Sequence, residues 1–146
     1  MRILILNGPN LNMTGRREPE IYGMRTMEEI MDDLKLHAAE KGCEIVYFQS
    51  NYEGALIDRL QAAPGECDAV ILNAGALTHY SYALRDAIAC CEAPVAEVHM
   101  SDITAREPFR AVDVISDVCV FRVMGLGERS YFTALDKLTD ELGTEE

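Results

Sequence analysis

Few residue types in this chain can move protons, and their spacing groups them. Glu97 and His99 stand two apart in an apolar stretch. Residues two apart on a strand share a face, so a carboxylate there can orient an imidazole. Tyr22 follows the basic pair Arg16 and Arg17 in a polar loop, and Arg106 and Arg110 sit in a second loop. Arginine favours a neighbouring phenolate over the phenol, so a loop tyrosine among arginines is a candidate base near neutral pH. Arginines gathered on one rim also suit an anionic or polyhydroxylated ligand. Asn7 and Asn10 come after the first apolar run, Asn73 and His79 after a later one, and Ser101 just beyond His99. Together these groups describe acid–base chemistry on a small oxygenated molecule. Each has a plainer reading when taken alone. The asparagines suit turns, the tyrosine a packed ring, Arg16 and Arg17 a solvated pair, and Glu97 with His99 a satisfied buried pair. Their convergence argues for a site. His37, near Lys35 and Glu40 in a helical pattern, reads as solvated.

The elements that must position them follow from the hydrophobic pattern. Arg2–Leu6, Glu44–Phe48, Ala69–Leu72, Pro94–Val98 and Val118–Val123 are short, nearly continuous apolar runs, which read as buried strands. Between them lie helical periods. Thr26 and Glu29 form a capping box ahead of Met27, Ile30, Met31, Leu34 and Ala38, with Gly42 as the stop. Ser50 and Glu53 suggest a second capping box, before Leu56, Ile57 and Leu60. Thr78–Cys91 reads as a helix carrying Tyr80, Leu84, Ala87, Ile88 and Cys91. Tyr131, Leu135, Leu138 and Leu142 mark a closing helix. Leu11–Arg25 is a polar loop bounded by Gly15 and Gly23, suited to a lid. A loop or short helix covers about 101–114. Strict alternation of strand and helix predicts an α/β fold. Its sheet is five-stranded, parallel and doubly wound in the flavodoxin-like manner, with helices on both faces. Ligands of such sheets bind outside the carboxyl ends of the strands. The residues singled out above fall there.

Composition narrows the function further. The 146 residues predict a single catalytic domain spanning 1–146. Thirteen Lys+Arg against 25 Asp+Glu leave a net charge of −12. A surface so acidic disfavours nucleic acid and anionic membranes as partners. No apolar run approaches the ~20 residues of a membrane span, and the N-terminus turns polar too early for a secretory leader. The five cysteines form no C-x-x-C pair, which predicts reduced thiols and a cytoplasmic location. The histidines lack ligand spacing with any cysteine, so no zinc site is expected. Neither G-x-G-x-x-G after the first strand, nor a P-loop, nor G-x-S-x-G is present. Gly125-Leu126-Gly127 alone is a weak nucleotide signal, and Asn73 stands where a phosphate-accepting signalling domain of this fold would want Asp. A flavin- or nucleotide-binding module of the same fold is the alternative reading.

Several segments carry a family resemblance. They are Leu6-Asn7-Gly8-Pro9-Asn10-Leu11-Asn12, Gly15-Arg16-Arg17-Glu18-Pro19-x-x-Tyr22-Gly23 and Gln49-Ser50-Asn51-x-Glu53-Gly54. Further along come Ile71 to His79, Ala83 to Ala87, Glu97-Val98-His99-x-Ser101, Ala105-Arg106-Glu107-x-Phe109-Arg110 and Gly125 to Gly127. Collinear from about residue 3 to residue 135, they resemble the type II 3-dehydroquinate dehydratases. The resemblance implies anti elimination of water from 3-dehydroquinate through an enolate, with no cofactor and no metal. It makes Tyr22 the base, held as phenolate by Arg17 and Arg106. Asn10 would position a water at the enolate oxygen. His99, oriented by Glu97, would be the acid at the C1 hydroxyl. Asn73, Ser101 and the Met100 and Ser101 amides would hold the C1 hydroxyl and carboxylate. His79 and Arg110 would bind ring hydroxyls, with Asp86 entering from a neighbouring subunit of a homo-oligomer built as trimers assembling into a dodecamer.

The chain departs from the family pattern at Tyr52, Asp102, Thr104 and Ser130. It departs also after Arg110, where Ala111-Val112-Asp113 replaces a His-rich stretch with Ser. None is an assigned catalytic position. Several would fall at subunit contacts, and Asp102 would lie beside the carboxylate site.

Overall fold

The computed structural model describes residues 1–143. Five parallel strands form one sheet: β1 (Arg2–Asn7), β2 (Glu44–Gln49), β3 (Ala69–Asn73), β4 (Val95–His99) and β5 (Arg122–Met124), in the order β2-β1-β3-β4-β5. This is the doubly wound order whose direction of winding reverses between β1 and β3, and there the crevice opens. Asn7 and Asn73 are register partners at that point.

The alternation along each strand divides the core. Ile3, Ile5, Ile71, Ala96 and Val98 face α2 (Met27–Glu40) and α5 (Arg129–Gly143). Leu4, Leu6, Val70, Leu72 and Val95 face α3 (Glu53–Ala62) and α4 (Tyr82–Cys90). Burying a Leu or Ile fully is worth about 1.5–3 kcal/mol, so these two layers dominate the stability. By the same alternation Glu97 and His99 lie on the α3/α4 face with Val95. The helix cover gives out there, and the segment 112–118 packs in its place, with Ile115 fully buried in that layer.

The capping box at Thr26 and Glu29 forms as expected, with bonds in both directions. The one expected at Ser50 does not. Tyr52 is the N-cap of α3 and Ser50 Oγ accepts from the Tyr52 N–H, which makes a turn. Glu53 Oε2 instead accepts from Ser81 Oγ. Ser81 itself caps α4, so the helix expected at 78–91 begins at Tyr82, after a 3-10 turn at 75–79. Tyr80 precedes the helix and is exposed rather than packed. The fifth strand is shorter than its apolar run because 116–118 closes a 3-10 turn. Asp113 nucleates that turn by accepting from the Ile115 and Ser116 N–H groups. His37 is not merely solvated: its Nε2 lies 2.6 Å from Asp136 on α5, which also pairs with Lys41. No helix among the described residues is long and apolar enough to cross a membrane.

Candidate active site

Two turns press together to shape the crevice floor. A Cβ on Gly8 would lie 2.6 Å from the Ala74 carbonyl oxygen, and one on Gly75, at φ +61°, would lie 2.9 Å from the Pro9 carbonyl oxygen. Beneath them the strand-end asparagines are locked. Tyr131, fully buried on α5, donates its hydroxyl to Asn7 Oδ1 at 2.9 Å and accepts from Asn73 Nδ2 at 2.9 Å. Gly75 N–H donates to Asn73 Oδ1, which completes the orientation of that amide. Asn10 takes the left-handed conformation, φ 70°, and donates its backbone N–H to Asn51 Oδ1.

The cavity above this floor measures about 120 Å³, well beyond the roughly 10–15 Å³ that one water needs. Asn10, Arg17, Tyr22, Asn73, His79, His99, Met100, Ser101, Arg106 and Arg110 all line it. The expected lid is Leu11–Arg25, which contains a 3-10 turn at 11–13 and the short helix α1 (Pro19–Tyr22). Its far end is pinned by Arg25, which pairs with Asp33 and Glu128.

One wall is basic. Arg106 Nη1 donates to the Tyr22 hydroxyl at 2.6 Å. The guanidinium carbons of Arg17 and Arg106 lie 5.1 and 5.3 Å from the Tyr22 ring centre, within cation–π reach. Arg106 Nε and Nη2 are buried without a hydrogen bond. Glu18, in the left-handed region at φ 42°, pairs with Arg17 at 2.8 Å and lies 3.6 Å from Arg106. The hydrogen bond from Arg17 holds the Glu18 carboxyl below its ordinary range. The sequence reading gave Glu18 no role.

The opposite wall carries the imidazoles. His99 Nε2 lies 2.5 Å from Glu97 Oε2, both side chains buried. His79 Nδ1 donates to the Val112 carbonyl at 2.7 Å and its ring meets Phe109 edge-on, which leaves Nε2 for a ligand. Arg110 pairs with Glu107 and lies over the Phe109 ring. The Met100 and Ser101 carbonyls accept from Gly127 and Gly125, fixing the peptide planes that carry the Ser101 and Asp102 N–H groups. Burial, reinforced by Asp113, pushes the Glu97 carboxyl up to about 10. Burial pushes the His99 imidazole down to about 4, against the attraction of Asp113. Asp113 is a second residue to which the sequence reading gave no role here; an aspartate set between Val112 and Val114 was its signal.

Not every expected residue arrives. Arg16 lines a separate open groove with Lys35 and Gln49. Neighbouring loop residues diverge, so the rim holds three of the four expected arginines. Asp86 is exposed on α4 and does not line this chain's cavity. Asp102 caps the turn at 103–105 through its bonds to Thr104. Among the described residues Glu97, His99 and Asp113 have the composition of a cation site. The Arg122 guanidinium, 3.0 Å from Asp113 Oδ2, already supplies the positive charge there.

An open α/β sheet with a basic phenol-bearing wall facing a carboxylate–imidazole wall defines a proton-transfer site for a small oxygenated anion. Comparison with known proteins makes this specific. The family model for dehydroquinase class II matches residues 1–139, and the chain belongs to that family. It is 52% identical over 144 residues to a 3-dehydroquinate dehydratase of Roseiflexus castenholzii, covering 99% of this chain and 90% of that one. It is 48% identical to a catabolic 3-dehydroquinase of Emericella nidulans, covering 92% of this chain and 88% of that one. The crystal structure of a type II dehydroquinase from Butyrivibrio crossotus superposes with a TM-score of 0.92 at 42% identity, covering 94% and 97%.

Proposed function

We propose that this protein dehydrates 3-dehydroquinate to 3-dehydroshikimate, in aromatic biosynthesis or in quinate breakdown. The observation that carries the reading is the 2.6 Å contact of Arg106 with the Tyr22 hydroxyl, in a cavity that His99, paired with Glu97, also lines. That arrangement favours dehydration over the flavin- or nucleotide-binding alternative, because it supplies a base and an acid around one ring-sized space.

The roles follow from the chemistry. Removing a proton beside a ketone needs a base and a stabilised enolate. Tyr22, with the Arg106 and Arg17 guanidiniums beside its ring, takes the C2 proton. Asn10 holds a water against the enolate oxygen. The C1–O bond then breaks with its electron pair, and His99 protonates the departing oxygen to form water. Glu97 orients His99. Asn73, Ser101 and the Met100 and Ser101 amides hold the C1 hydroxyl and carboxylate. His79 and Arg110 bind the ring hydroxyls. No cofactor or metal has a role in this scheme.

The working unit is a homo-oligomer, trimers assembling into a dodecamer, with residues 1–146 as one domain. Tyr82 and Asp86 stand one helical turn apart on α4, so they share a face. Tyr82 is exposed, as are Phe109 and Val112. A subunit docking there would carry Asp86 toward a neighbour's cavity. The cytoplasm is the expected location, with five thiols free of disulfide partners. Tyr22→Phe and His99→Gln test the assignment. Each lowers kcat by at least about 100-fold, the usual scale of general acid–base catalysis, while the sheet and substrate affinity persist. Unchanged turnover in Tyr22→Phe removes the base from this scheme. Sedimentation velocity of Asp86→Ala separates assembly from catalysis: an intact oligomer with weaker substrate binding supports a role for Asp86 across the interface.

A further inference from the structure

The acid side of the cavity contains more charge than its reaction needs. Behind Glu97 and His99 stands Asp113, its side chain almost wholly buried, with one oxygen of each carboxylate and one imidazole nitrogen all within 4.8 Å of one another. Two carboxylates so close cannot both stay ionised without a counter-charge. Arg122 supplies one such charge, 3.0 Å from Asp113 Oδ2. Glu97 Oε1 is buried without a hydrogen-bond partner. A carboxylate oxygen left bare in a buried site is costly, whereas a proton on it finds a ready acceptor in Asp113. The fold positions Asp113 deliberately, since the turn it nucleates at 115–116 lays the segment 112–118 over β4 where helix cover ends.

We propose that Asp113, its charge moderated by Arg122, is a positioning residue that keeps one proton on the Glu97–His99 pair at neutral pH, so that the acid is loaded when hydroxide leaves. The inference rests on the dehydration scheme above. The pair holds its proton collectively, across the 2.5 Å Nε2–Oε2 contact. When the C1–O bond breaks, His99 passes a proton to the departing oxygen and the pair is left one proton short. Tyr22, which has taken the C2 proton, returns it to the pair by way of solvent, so the cycle closes without any other reactant.

The charged and titratable groups facing the pair are Asp113 before the 116–118 turn, Arg122 on β5, His79 in the 75–79 turn and Cys119. Tyr22, Arg17, Arg106 and Arg110 line the same cavity. Asp113 raises the proton affinity of both members, and Arg122 lowers that of both. The two residues therefore predict opposite effects.

The test is the pH profile of kcat for the full-length protein and for Asp113→Asn and Arg122→Gln. An asparagine at 113 keeps an oxygen to accept from the Ile115 and Ser116 N–H groups, so the turn survives. Activity falls at alkaline pH as the pair loses its proton. In Asp113→Asn that limb moves down by about 1–2 pH units, and in Arg122→Gln it moves up by a similar amount. Limbs that stay put, or move in the same direction, overturn the proposal, because a merely structural role gives no opposed shifts. Nitrogen-15 NMR of the His99 ring, assigned by its loss in His99→Gln, reads the same proton in the resting protein without substrate. It should titrate with the same opposed displacements. If the protein fails to dehydrate 3-dehydroquinate, the functional reading falls and this NMR titration alone decides whether Asp113 holds the proton.

Discussion

Replacing Tyr131 with Phe deletes one oxygen and isolates the contribution of the floor beneath the cavity. The ring stays packed among α2, α5 and the sheet. What is lost is a hydroxyl that both donates to Asn7 Oδ1 and accepts from Asn73 Nδ2. Asn7 and Asn73 are buried, and so is Tyr131. Leaving a buried polar group unsatisfied costs about 1–3 kcal/mol, so two of them put the destabilisation at about 2–6 kcal/mol. The assay is urea unfolding followed by circular dichroism, at one protein concentration so that assembly does not move the midpoint. With a slope of about 2 kcal/mol/M, the midpoint falls by about 1–3 M. Catalysis moves too. Asn73 retains its bond from Gly75 but loses its second anchor, and misplacing one neutral hydrogen bond at the ligand lowers kcat/KM by about 10-fold. A midpoint within 0.3 M of the parent, with unchanged kcat/KM, refutes the reasoning.

Other expectations follow from the same geometry. Gly8→Ala drives a methyl into the Ala74 carbonyl, backbone against backbone; thermal unfolding should show a loss of about 2–4 kcal/mol, within the range of severe core strain. Gly23→Ala, with open space around it but φ +84°, should lose only about 1 kcal/mol from the left-handed backbone. Glu97→Gln imitates the protonated carboxyl. The folded-state pKa of Glu97 is raised, so the parent's stability from this group is complete below the unfolded value near 4.5 and declines until the folded value of about 10. The variant lacks that decline, so its stability relative to the parent grows by up to about 1.4 kcal/mol per pH unit between those limits; urea midpoints at pH 6 and pH 8.5 check this. A constant difference at the two values contradicts it.

Much of the site was legible in the chain because an open parallel sheet fixes where its strands end. Asn73, Glu97 and His99 follow apolar runs directly, and the runs themselves fix the crevice. Arg17, Tyr22 and Arg106 were grouped by residue type alone and took their individual roles from the family resemblance, since loops carry no periodicity to say which side chains turn inward. That is also why Arg16 was grouped with them and is found elsewhere. Three contacts were not legible. Tyr131 was read as part of a helix's apolar face, which is true of its ring, but its hydroxyl reaches Asn7, 124 residues away. Glu18 looked like loop charge until α1 folded it back onto Arg17. Asp113 was noticed only as a departure from the family pattern. Its partnership with Glu97 depends on the turn at 116–118, which takes up the start of the apolar run that otherwise reads as a longer fifth strand.

The most direct test of the central claim is ultraviolet absorbance during incubation of the purified protein with 3-dehydroquinate. Elimination creates a conjugated enone-carboxylate that the substrate lacks. The account predicts a steady rise proportional to enzyme, abolished in Tyr22→Phe. No rise, from folded protein beside an active control dehydratase, contradicts it.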